Sequence, residues 1–215
     1  MTISQLLFKH FRINWLFYIG LLISIYIFSK GTETSYTQNI VTLIIVSLLQ
    51  YIVHLFGHKY RIKNIVTSFI EKNTFITGTN FVKVLLMNMA DFVDFHYEIH
   101  HDTKINKRPE NQIFEFIHNF FTQGVIVYVI TWFIKGLNAK IALIWGMVYA
   151  TMHMINYQFI DHPEHVQHHE NSETNYGHDI WDILFNTKYD DSCENYNHVV
   201  INSLVFFYVG SKIFK

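Results

Sequence analysis

An all-α integral membrane fold is predicted from three observations. Half of the residues are hydrophobic and only 15% are charged, against roughly a quarter charged in an ordinary soluble domain. Four apolar stretches match the roughly 17–25 residues that a bilayer-spanning helix needs. The fourteen histidines, nearly as many as the sixteen lysines and arginines together, gather beside these stretches instead of scattering. A net charge of −1 leaves no basic surplus to neutralise phosphates, which argues against a nucleic-acid partner. The single cysteine, Cys193, excludes a disulfide framework and a Cys-based zinc site. With two prolines and nine glycines there is no flexible linker, and no solenoid repeat is visible, so residues 1–215 read as one domain.

The elements follow in order. The first stretch, about 11–29 (FRINWLFYIGLLISIYIFS), comes after Lys9 and His10 and includes Arg12. It is too long for a signal-peptide core and lacks a small-residue cleavage site, so it reads as a retained helix. The second is about 38–57 (QNIVTLIIVSLLQYIVHLFG). The third, about 112–134, carries Glu115 and His118 in its first two turns, and the fourth is about 139–159. Short loops near 30–37 and 135–139 join them into two hairpins. Polar stretches of about 58–111 and 160–198 then fall on one side, with the residues before helix one. Only Lys30, Lys135 and Lys140 lie at the short loops, and the other thirteen basic residues lie opposite, which makes that opposite side cytosolic. The last apolar run, 199–210, is too short to span and is expected at the interface or packed back on the protein.

On this topology the histidines converge. His54 and His58 end helix two, four residues apart on one helical face. His96, His100 and His101 end the first polar stretch. His153 lies near the end of helix four, followed by His162, His165, His168, His169 and His178. Pro163 suits the first turn of a short helix that presents His165, His168 and His169 on one face. Neutral imidazole is the commonest side-chain metal ligand. Nine or so imidazoles exceed the three or four that one zinc ion takes, so two closely held ions fit the number better. Imidazole-rich sets suit iron, zinc, copper or nickel.

HLFGH at 54–58, HYEIHH at 96–101, His153, HVQHH at 165–169 and NYGHDIWDILFNT at 175–187 together resemble the fatty acid hydroxylase/sterol desaturase superfamily. The resemblance runs from helix two to about residue 190 and includes the two-hairpin layout. It implies a cytosolic helical cap over four spans, and a dimetal centre, usually di-iron and also compatible with zinc, that activates O2. It implies hydroxylation or desaturation of a lipid C–H bond, with electrons from cytochrome b5 and its reductase or an equivalent donor. It implies an endoplasmic-reticulum membrane in a eukaryote or the inner membrane in a bacterium. By position the ligands are His54, His58, His100, His101, His165, His168 and His169, with His153 next. The middle box reads HxxxHH, one residue longer than the family pattern at His96, and Asn186 stands where glycine is usual.

His162, His178 and His198 stay open between ligand, supporting group and neither. Trp181 is expected to pack, and Asp182 to position the segment or to orient a ligand histidine through its second ring nitrogen. Asn175, Tyr176 and Gly177 read as a turn. Asp91, Asp94 and Glu98 read as a solvated helix face, His118 as a snorkelling group near a helix end and His10 as flanking charge. Two alternatives remain at this level: a metal transporter or sensor, whose ligands belong near the midplane, and a family member that keeps its metals without catalysis.

Overall fold

The computed structural model describes residues 1–73, 80–95, 101–102, 108–157 and 163–215, apart from the side chains of residues 80, 156, 157 and 164. The described residues are helical or loop, with no strand among them. Helix α1 (Ile3–Ile13) opens with a capping box in which Thr2 and Gln5 satisfy each other's backbone N–H. It ends at Asn14, whose φ of −101° and ψ of 18° break the helix before α2 (Trp15–Thr32). The first apolar stretch is therefore two elements. Phe11, Arg12 and Ile13 belong to an amphipathic lead-in, because polar Asn14 turns its side chain to the Glu194 carbonyl, 2.8 Å away.

Among the described residues three helices are long and apolar enough to cross a membrane: α2, α3 (Tyr36–Lys59) and α6 (Pro109–Trp132). The expected fourth span is a shorter apolar helix, Lys140–Ile155. Its regular part, α7, covers Lys140–Thr151 and passes into a π-helical turn at Met152–Tyr157. Helix α6 carries a second π-helical turn at Phe121–Ile126. Between α3 and α6 lie α4 (Ile62–Lys72) and α5 (Asn80–Phe95), which pack on each other. After α7 come α8 (Pro163–Glu170), α9 (Asp179–Phe185), a 3₁₀ turn at Tyr196–Val199 and α10 (Val200–Ile213). Pro163 occupies the first position of α8, where its missing N–H costs nothing.

The core sits where α2, α3, α6, α7 and α10 meet, around Phe17, Phe28, Val46, Ile141, Trp145 and Phe207. As expected, the last apolar run packs back: α10 lies along α2. Small residues permit that approach, since a Cβ at Gly20 or Gly31 would come to 2.6 Å of Val200 or Ser211. Backbones also meet where α6 and α7 cross, since a Cβ on Gly146 would collide with the Gly124 backbone. Outward, Ile19, Ile23, Ile44, Ile201 and Val205 are exposed, the pattern of a lipid-facing wall. At the loop end, Asn138 donates to Asn39 at 2.9 Å and Gln38 donates to the Gly136 carbonyl at 3.0 Å, joining the two short loops.

Candidate metal centre

The histidine end of the bundle is built from four separate segments. Helix α3 runs one turn past its core residues and there presents His54 and His58, both buried, with their Nε2 atoms 3.0 Å apart. The π-turn at the end of α7 brings in buried His153. Helix α8 carries His165, His168 and His169, and His101 comes from the end of the first polar stretch.

Ring contacts connect these seven imidazoles without a gap. His54, His58 and His168 have ring centroids 4.9–5.1 Å apart, and one nitrogen of each lies within 4.8 Å of the others'. His165 and His169 face each other with Nε2 atoms 2.9 Å apart, and His153 lies 4.7 Å from His165 by ring centroid. His101 bridges the two groups, at 4.8 Å from His58, 4.8 Å from His168 and 4.9 Å from His169. The three histidines of α8 are thus divided: His168 turns toward α3, His165 toward α7, and His169 lies between His165 and His101.

The arrangement fits metal binding. Two ring nitrogens each ~2.1 Å from one ion lie about 3.0–3.4 Å apart, close to the Nε2 separations of both pairs. The outer ring nitrogens of two members are held by oxygen acceptors. His153 Nδ1 donates to Glu115 Oε1 at 2.9 Å, and His168 Nδ1 donates to the Thr174 carbonyl at 2.6 Å. Such contacts fix the tautomer and leave Nε2 to face an ion. Burial lowers the His168 pKa to about 3, with His58 adding to the effect, and holds that of His101 far below its usual value. Both rings therefore stay neutral, the form that binds metal.

Glu115 is the supporting residue that spacing did not reveal. In the sequence it is a lone carboxylate in an apolar stretch, and in the fold it is 2% exposed against His153. Its signal was its position: a carboxylate in a membrane-spanning helix needs a partner. His118, one turn further on, is also buried rather than snorkelling, and its Nε2 lies 3.4 Å from the Val93 carbonyl. Asp94 is buried, not solvated. Its carboxylate accepts from the N–H groups of Ile62 and Lys63 at 3.0 and 2.9 Å, capping α4 and tying the end of α5 to the chain just after His58. Asp91 pairs with Lys63 on the surface.

Among the described residues Asp182 meets backbone and hydroxyl donors instead of a histidine. Its oxygens accept from Tyr176 N, Gly177 N and Thr187 Oγ1 at 2.9, 3.1 and 2.6 Å, closing the NYG turn onto α9. Trp181 packs near Phe185 and donates to Ser47. Asn186 caps α9 in the left-handed region at φ 56°, a conformation that asparagine tolerates better than most residues other than glycine. His178 stacks on Tyr196 at 4.6 Å and lies 5.5 Å from His10, away from the α8 rings. His198 sits in the 3₁₀ turn. His96, His100, Glu98 and His162 lie outside the described residues.

His10 is the largest departure from expectation. It is fully buried, with Nδ1 3.3 Å from Asp179 and Nε2 2.6 Å from the Tyr18 hydroxyl. Lys188 completes this group, donating to Asp179 at 2.7 Å. Burial works to raise the Asp179 pKa, but His10 and Lys188 outweigh it and hold the carboxyl below its usual value.

Two cavities flank the cluster. A narrow one of about 60 Å³ runs from His54, His153, His165 and His168 past Tyr149 and Trp145 to His178, Asp179 and Glu194. A wider one of about 480 Å³ lies between α3, α4, α5 and α6, with Val53, His54, Phe56, Ile65, Val93 and Ile126 on its walls. Comparison with known proteins adds no relative: no family model, no curated protein and no solved structure matches the chain.

Proposed function

We propose that the chain is a membrane-bound, O2-dependent lipid hydroxylase or desaturase working through a histidine-held pair of metal ions, most simply iron. The observation that carries this reading is the continuous set of seven imidazoles at one end of an apolar bundle, with the wide cavity reaching one of them. In this reading His54, His58 and His168 hold one ion, and His153, His165 and His169 the other. His101 stands between them, and His96 and His100 complete the middle box. Bound iron would supply the activation of O2 with electrons from a cytochrome b5-like donor. The chain's own contribution is positional. Glu115 and the Thr174 carbonyl orient His153 and His168, Tyr149 and Tyr176 pack against the rings to exclude water, and the wide cavity delivers an apolar C–H bond to His54.

The proposal extends to topology. Lys140–Ile155 continued by its π-turn serves as a fourth span, and α4, α5, α8 and α9 form a cytosolic cap, in the endoplasmic reticulum of a eukaryote or the inner membrane of a bacterium. A transporter or sensor is disfavoured, because the ligands gather at one end of the helices and not at mid-depth.

Metal analysis of the purified chain tests this directly. About two ions per chain are expected, with loss in His168→Ala; no stoichiometric metal sinks the reading. Lipid profiling of a host expressing the chain or that variant then identifies the product. An unchanged profile across sterols, fatty acids, sphingolipids and carotenoids counts against an oxidase and leaves a metal-holding protein without catalysis.

A further inference from the structure

The wide cavity carries a polar strip on one side. Asn119 and Gln123, four residues apart on α6, both line it, and they are 2% and 4% exposed. Asn119 Nδ2 and Gln123 Oε1 have no hydrogen-bond partner among the described residues. The intervening Thr122 is already engaged, donating to the His118 carbonyl at 2.9 Å. The four-residue spacing puts both side chains on one helix face. Within the π-turn the Gln123 backbone carbonyl accepts from Gln50 Nε2 at 2.8 Å. A buried donor and a buried acceptor, both unmet and within a membrane-spanning helix, mark a ligand site more readily than a stable core.

From these residues we infer that the cavity selects an apolar molecule bearing a hydroxyl group, which accepts from Asn119 Nδ2 and donates to Gln123 Oε1 while its hydrocarbon body runs toward His54. A hydroxyl is the smallest group that does both at once. A plain hydrocarbon leaves the two amides unmet, and an ether meets only the donor. The inference rests on the lipid-oxidase reading for its purpose, but it concerns binding and is testable without turnover.

The probe is tritiated hexadecan-1-ol bound to the detergent-solubilised full chain, competed with unlabelled hexadecan-1-ol, hexadecyl methyl ether or hexadecane. In the wild type the alcohol should compete about tenfold better than the alkane, with the ether between them. Asn119→Leu and Gln123→Leu should each bring alcohol and alkane together while the protein elutes as a folded species. Equal competition in the wild type, as when a bound water satisfies both amides, overturns the proposal; so does an unchanged preference in the folded Leu variants. Should those variants not fold, the wild-type ratio decides alone. Metal content measured on the same samples separates the two ideas: a chain without metal that still prefers the alcohol loses the oxidase reading and keeps this one.

Discussion

Glu115 shows what single side chains contribute to the histidine end. Its carboxylate takes the outer nitrogen of His153 in a buried contact of 2.9 Å. Removing it in Glu115→Ala should lower metal affinity about 10–100-fold while leaving the fold intact, as read by metal retention against a graded chelator. An unchanged affinity would mean that His153 needs no such support. At this scale the sequence was legible for histidines and poorly legible for their partners. Imidazoles announce themselves by repeated four-residue spacing, as at His54 and His58. Glu115, Asp94 and His10 carry no spacing signal, because each acts on a residue far away in the chain. His10 meets Asp179 across 169 positions, and no local pattern encodes that.

Helix ends and crossings decide the element scale. The α6–α7 crossing depends on two glycines with backbones in contact, so Gly146→Ala should cost at least about 2 kcal/mol, measured by thermal unfolding in detergent. The α9 C-terminus should behave differently. Asn186 already sits at φ 56°, so Asn186→Gly should be neutral or slightly stabilising, and Asn186→Ala should cost about 1 kcal/mol. Equal effects from both would remove the left-handed cap as the reason for asparagine. Apolar length located the long helices α2, α3 and α6 within a few residues. It missed the break at Asn14, because Phe11 and Ile13 are as greasy as the helix they precede. Their difference lies in Asn14 turning to the 188–197 loop.

For the molecule as a whole, α1 is fastened to residues 179–197. Lys9 donates to the Asp191 carbonyl at 2.7 Å, and Asn14 accepts from Tyr196 N at 2.6 Å. Burial, reinforced by His10, lowers the His178 pKa to about 3. A folded-state value below the unfolded 6.5 means that the unfolded chain binds the extra proton. Stability should therefore fall as pH drops below about 6.5, by up to ~1.4 kcal/mol per unit from this residue. Melting temperatures between pH 7.5 and 5 should show the decline, and His178→Phe should flatten it by one proton's share. An identical slope in the variant would place the titration elsewhere.

That fastening also orders events during synthesis. Domains form as the chain emerges, N-terminal parts first, yet α1 cannot seat until residues 179–197 exist. Every described imidazole of the cluster, up to His169, has left the ribosome by then, while the far end of the narrow cavity still lacks Asp179, Glu194 and Tyr196. The nascent histidine set thus precedes the residues that complete the narrow cavity, which leaves an interval in which ions can reach it from that end.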